Sequence, residues 1–69
     1  MDFVIEHGRH LLGLEVKMSA QVSYGDTAGL RRVLDEYPHA SGGLIIYGGD
    51  SIRRLSERIV AVPWPLLTG

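Results

Sequence analysis

The chain has 69 residues, 45% of them hydrophobic and 22% charged, with a net charge of −1 and no cysteine. Below roughly 70 to 80 residues a single core supplies only a few kcal/mol, and disulfides and thiolate metal sites are excluded as further support, so the chain reads as one small domain or a fragment of a larger one. The charge balance excludes the global basic field of a non-specific nucleic-acid binder, and no apolar run approaches the roughly 18 to 20 residues that span a bilayer; a soluble cytoplasmic protein with no membrane partner is the expectation.

From Met1 to Met18 the apolar residues alternate, Phe3 and Ile5 on one side of a first strand, Leu12, Leu14, Val16 and Met18 on one side of a second. Period 2 is the mark of strands. His7-Gly8-Arg9-His10 reads as a two-residue hairpin turn with Gly at its first central position, the type II′ signature. If His7 faces His10, then Ile5 meets Leu12, Phe3 meets Leu14 and Asp2 meets Glu15. Because side chains alternate strictly, Asp2, Val4, Glu6, Leu11, Gly13, Glu15 and Lys17 share the other face.

After a short connector, Ser23 with Asp26 three positions on signals a helix start, and Leu30, Val33, Leu34 and Tyr37 continue it at helical spacing until Pro38 ends it. Gly42 and Gly43 open the run Leu44-Ile45-Ile46-Tyr47, which is continuous and suits a central strand buried on both faces. Residues 51–58 read as a loop or a short turn of helix, and Ile59-Val60-Ala61-Val62 as a final short strand. Strand, helix, strand in that order implies a right-handed crossover and parallel pairing with a hairpin strand. The expected fold is therefore α/β, a ββαβ(β) mixed sheet of about four strands. One principal helix is expected on the Phe3/Leu14 face, leaving the face with Val4, Leu11 and Gly13 uncovered.

Asp2, Glu15 and Lys17 carry the chemistry that this pattern suggests. Directly opposed side chains of an antiparallel pair lie about 4.5 to 5.5 Å apart at Cβ, where like charges are destabilising. A divalent hard cation removes that conflict: Mg²⁺ takes oxygen ligands, often from one or two carboxylates, and completes its shell with water and substrate phosphate. Asp2 and Glu15 would then be metal ligands and, with Lys17 orienting a water or stabilising charge on phosphate, a centre for phosphodiester hydrolysis. The alternative is an exposed hairpin face on which Glu15 and Lys17 form a weak ion pair, worth about 0 to 1 kcal/mol.

Nearly the whole chain resembles a known family, through Asp2-Phe3-Val4-Ile5-Glu6, Leu11-Leu12-Gly13-Leu14-Glu15-Val16-Lys17, Gly29-Leu30, Gly43-Leu44-Ile45-Ile46-Tyr47-Gly48-Gly49-Asp50 and Ile59-Val60-Ala61-Val62-Pro63. It looks like the C-terminal domain of unknown function that follows the ATPase module in a group of prokaryotic AAA-type ATPases. That domain in turn is similar to the PD-(D/E)XK nuclease superfamily, with Asp2 matching the first motif acid and Glu15-x-Lys17 the second element. The resemblance implies a partial restriction-endonuclease-like core, residues 1–69 forming one small domain that corresponds to the C-terminal part of a larger nuclease-like one. It departs from the superfamily in starting at the motif acid, without the preceding helix and strand, and in having Met1 where a proline usually stands.

Other candidates are more ordinary. His7 and His10 flank the turn as a solvated pair, His39 sits in a loop beside Pro38, and Gln21 and Tyr24 stand close to where some nucleases place a glutamine and a tyrosine. Arg31 and Arg32 lie on the polar side of the helix, and Arg53, Arg54 and Arg58 would matter to phosphate only if they converge on the Asp2 face. Trp64, between Pro63 and Pro65, reads as a core plug in preference to an exposed docking residue, with Leu66 and Leu67 tucked back on the core. Two functions follow. The first is an accessory, non-catalytic interaction module that docks on an ATPase module or on itself. The second is a Mg²⁺-dependent nuclease using Asp2, Glu15 and Lys17, with nucleic acid as its partner.

Overall fold

In a computed structural model, residues 2–68 are described, with side chains for residues 4–66. The hairpin forms with the expected register: β1 (Asp2–His7) and β2 (His10–Lys17) are antiparallel, with Asp2 opposite Glu15, Phe3 opposite Leu14 and His7 opposite His10. Gly8 has φ +62° and no non-glycine residue among those described has positive φ, so the positive angle falls on the first central residue alone, as a type II′ turn requires.

A 3₁₀ turn at Tyr24–Thr27 leads into α1 (Ala28–Glu36). The Asp26 side chain caps the start: Ser23 N donates to its carboxylate at 2.8 Å, while Asp26 N donates to the Ser23 carbonyl at 3.0 Å and closes the 3₁₀ turn. Thr27 is fully buried and satisfied, donating to Tyr24 O at 2.6 Å and accepting from Arg31 Nε at 3.0 Å. Tyr37 caps the helix through Val33 O, and Pro38 follows.

β3 (Gly42–Tyr47) pairs parallel to β2, and β5 (Ile59–Pro63) parallel to β3. Between them the two residues Arg53–Arg54 form β4, antiparallel to β5, where a loop or a helical turn is expected. The sheet therefore has five strands in the order β1-β2-β3-β5-β4, one more than the pattern suggests, because two arginines carry no periodic signal. A short helix, α2 (Trp64–Thr68), follows β5 directly.

Three expectations are corrected. The principal helix does not lie on the Phe3/Leu14 face. It covers the opposite one, where Leu11, Gly13, Gly43, Ile45, Tyr47, Ile59 and Ala61 are buried beneath Leu30 and Leu34. Apolar alternation favours the Phe3/Leu14 side, but closeness decides: a Cβ at Gly13 would stand 3.0 Å from Leu30 Cδ2, and one at Gly43 3.2 Å from Leu30 Cδ1. Only a glycine-lined floor lets the helix sit this near the strands. Second, β3 is not buried on both faces. Gly43, Ile45 and Tyr47 are buried, whereas Leu44 and Ile46 are half-buried on the side away from α1. Third, Trp64 is 51% and Leu66 59% exposed, so neither plugs the core, and Leu67 lies outside the described side chains.

Candidate functional site

Following the register across all five strands gives a row Asp2–Glu15–Ile45–Ala61–Arg53 on the helix-covered face. Asp2 and Glu15 thus occupy directly opposed positions, and Lys17 shares their face one pleat further along β2. The Asp2 side chain lies outside the described residues; its strand position does not. As positions, two opposed carboxylates fit the one- or two-carboxylate protein share of a Mg²⁺ shell. Among the described residues no group of three or more His, Cys, Asp or Glu is gathered for a metal, so any such ion would depend on water and substrate for most of its ligands.

Lys17 meets a partner that the motif does not name. Its Nζ lies 2.5 Å from Asp26 Oδ2, both side chains about one-quarter exposed at 28% and 27%. The same Asp26 oxygen accepts from Ser23 N at 2.8 Å and from Ser23 Oγ at 3.4 Å. The Lys17 hydrogen bond, and after it the Ser23 backbone, hold the Asp26 carboxyl below its ordinary value against an opposing desolvation effect. Lys17 is thereby held at the helix start, with its ammonium part-neutralised. Sequence spacing marks Asp26 as a capping residue and gives no sign of this second role, since the pairing joins a strand end to a helix start through the connector.

Around this pair opens a polar cleft of about 500 Å³, lined by Lys17, Ser19, Gln21, Val22, Ser23, Asp26 and Arg53. It lies beyond the carboxyl end of β2, the end of parallel strands where open α/β sheets place ligands. Gln21 reaches the cleft, while Tyr24 turns to stack under Arg31, whose guanidinium carbon is 4.6 Å from its ring centroid. Of the late arginines only Arg53 shares the Asp2 face. Arg54, paired with Val60, falls on the opposite face and donates to Glu57 O at 2.5 Å, and Arg58 donates to Ala40 O. His7 and His10 are opposed and exposed at the turn, and His39 sits edge-on to Tyr37 at 6.4 Å.

The other sheet face is different in kind. Leu12, Leu14, Leu44, Ile46, Val60 and Val62 are half-buried on it, and Ile5 and Val16 are 43% and 42% exposed. Parallel strands are ordinarily covered on both faces. Here α1 covers one. No helix among the described residues is long and apolar enough to cross a membrane.

No curated protein and no solved structure matches the chain. Its sequence matches the family described as Domain of unknown function (DUF4143) over residues 1–67. With all but its last two residues within that match, the chain belongs to the DUF4143 family.

Proposed function

We propose that this domain is an accessory interaction module, and that its occupant is an ATPase module of the kind the prokaryotic AAA-type resemblance implies. The observation that carries this reading is the half-exposed aliphatic face of Leu12, Leu14, Leu44, Ile46, Val60 and Val62. A parallel β2–β3–β5 core with one bare face is an unfinished layer, and a second layer of secondary structure completes it. The Lys17–Asp26 pairing supports the non-catalytic side of the reading, because a lysine tied to a carboxylate has less charge to lend a phosphate. Mixing the chain with such a module and with its Ile46→Glu variant tests the proposal. A complex formed by the native chain and lost in a folded variant supports it; a complex indifferent to the substitution overturns it.

A second reading, a Mg²⁺-dependent phosphodiesterase in a partial PD-(D/E)XK-like domain, is favoured by the opposed positions of Asp2 and Glu15 with Lys17 on their face. When bound, the metal would supply Lewis-acid activation of water. Asp2 and Glu15 would hold it, and Lys17 and Arg53 would orient the phosphate from the cleft. Nicking of plasmid DNA or cleavage of RNA that needs Mg²⁺ and disappears in Glu15→Ala supports this reading; metal-independent or absent cleavage counts against it.

A further inference from the structure

The bare face has a charge pattern as well as an apolar one. Among the described side chains, both strand carboxylates, Glu6 and Glu15, belong to register positions on the α1 side. Among the described residues, the strand positions of the other face hold none. At its β1–β2 end stand the exposed His7 and His10, and at its β4 edge the exposed Arg54, which pairs with Val60 in register. An aliphatic bed thus carries the charge of Arg54 at one edge and two imidazoles at the other end.

Its dimensions select the kind of occupant. Across β1, β2, β3 and β5 the bed is about 14 Å wide, and along β2 from Leu12 to Val16 it is about 13 Å long, at the usual strand spacing and rise. One α-helix, 10 to 12 Å across with its side chains, fills that width, and about three turns cover its length. A second copy of this chain fits poorly. Self-docking would set Arg54 and a face without described carboxylates against its own copy, with no charge complement.

We infer that the Leu12/Leu14/Leu44/Ile46/Val60/Val62 face is a docking bed for a single amphipathic helix of a partner protein, whose apolar stripe is flanked by carboxylates. This rests on the interaction-module reading and adds the chemistry of the docked element. Acidic flanks would meet Arg54 and the turn, steering association and setting orientation. Trp64, 51% exposed, follows directly on the end of β5 at Pro63.

The test uses two synthetic helices of about four turns with the same leucine stripe, one flanked by glutamate and one by lysine, titrated into the isotope-labelled full chain. The glutamate helix is expected to bind at least ten-fold more tightly, shifting the methyls of Leu44, Ile46 and Val60 while those of Ile45 and Ile59 stay fixed. Arg54→Glu is expected to reduce or reverse the preference with the fold intact, and Ile46→Glu to abolish binding. Equal affinity for both helices, shifts confined to other surfaces, or a dimer by sedimentation that Ile46→Glu dissociates would each overturn the inference. Failure of the helices while the ATPase module still protects this face removes the helix chemistry alone; the module reading falls only if that module leaves the face untouched.

Discussion

The Lys17 ammonium lies 2.5 Å from the Asp26 carboxylate, joining the end of β2 to the start of the helical segment. One residue of the motif that suggests phosphate chemistry is therefore also a strut of the fold. Asp26 titrates below its ordinary value because of that contact and the Ser23 backbone bond. A carboxyl whose folded pKa is depressed adds stability above its unfolded value, about 3.9, and loses it as pH falls through the folded value. The chain is expected to lose part of its stability below about pH 4. In Lys17→Met the Asp26 midpoint, followed by carboxyl ¹³C shifts, should rise toward the ordinary value.

The glycine floor beneath α1 predicts an asymmetry among glycine substitutions. At Gly43 an added Cβ meets Ile59 Cγ1 and Leu30 Cδ1 at 3.2 Å, whereas at Gly25 the nearest atom is Ser23 Oγ at 3.8 Å. Gly43→Val should overpack the interface and cost about 1 to 3 kcal/mol, while Gly25→Ala should be neutral or stabilising by less than about 1 kcal/mol. Urea unfolding of the two variants distinguishes a packed floor from a loose one.

Leu30 is the anchor of that interface, fully buried over Gly13 and Gly43. Leu30→Ala should cost about 2 to 5 kcal/mol, comparable to all the stability that a core of this size provides. Loss of the cooperative transition is the expected result, read by near-ultraviolet circular dichroism. Leu44→Ala, on the bare face, should unfold measurably later than Leu30→Ala.

The hairpin turn offers a local test. Gly8 has φ +62°, and a Cβ there meets nothing within 4 Å, so its constraint is conformational and not steric crowding. Gly8→Ala should destabilise by about 1 to 2 kcal/mol, the left-handed penalty for an L-residue, without moving the Asp2–Glu15 register. Cross-strand nuclear Overhauser contacts between Ile5 and Leu12 should persist.

Local signals in the sequence were strong enough to place the hairpin register, the Asp26 cap and the parallel β3 strand. Alternation and turn chemistry act between near neighbours, and each had one physical solution. The covered face could not be read this way, because both faces of β2 carry leucines. What separates them is the absence of a side chain at Gly13 and Gly43, which matters only once Leu30 arrives from elsewhere in the chain. Arg53 was visible as a charge but not as a member of the Asp2–Glu15 row, since β4 is two residues long and owes its position to β5. Asp26 had one local role in the sequence and acquired a second by tertiary contact. For Trp64 between prolines the sequence leaves both a core plug and an exposed residue open, and its 51% exposure decides for the second.

The central proposal, that the aliphatic face opposite α1 is the working surface, is tested most directly by methyl-resolved titration of the labelled chain with an ATPase module of the proposed kind. Leu14, Leu44, Ile46, Val60 and Val62 methyls should shift or broaden together, and Ile45 and Ile59 beneath α1 should not. Perturbation centred instead on Glu15, Lys17 and Arg53, with Ile46 unchanged, would contradict the account.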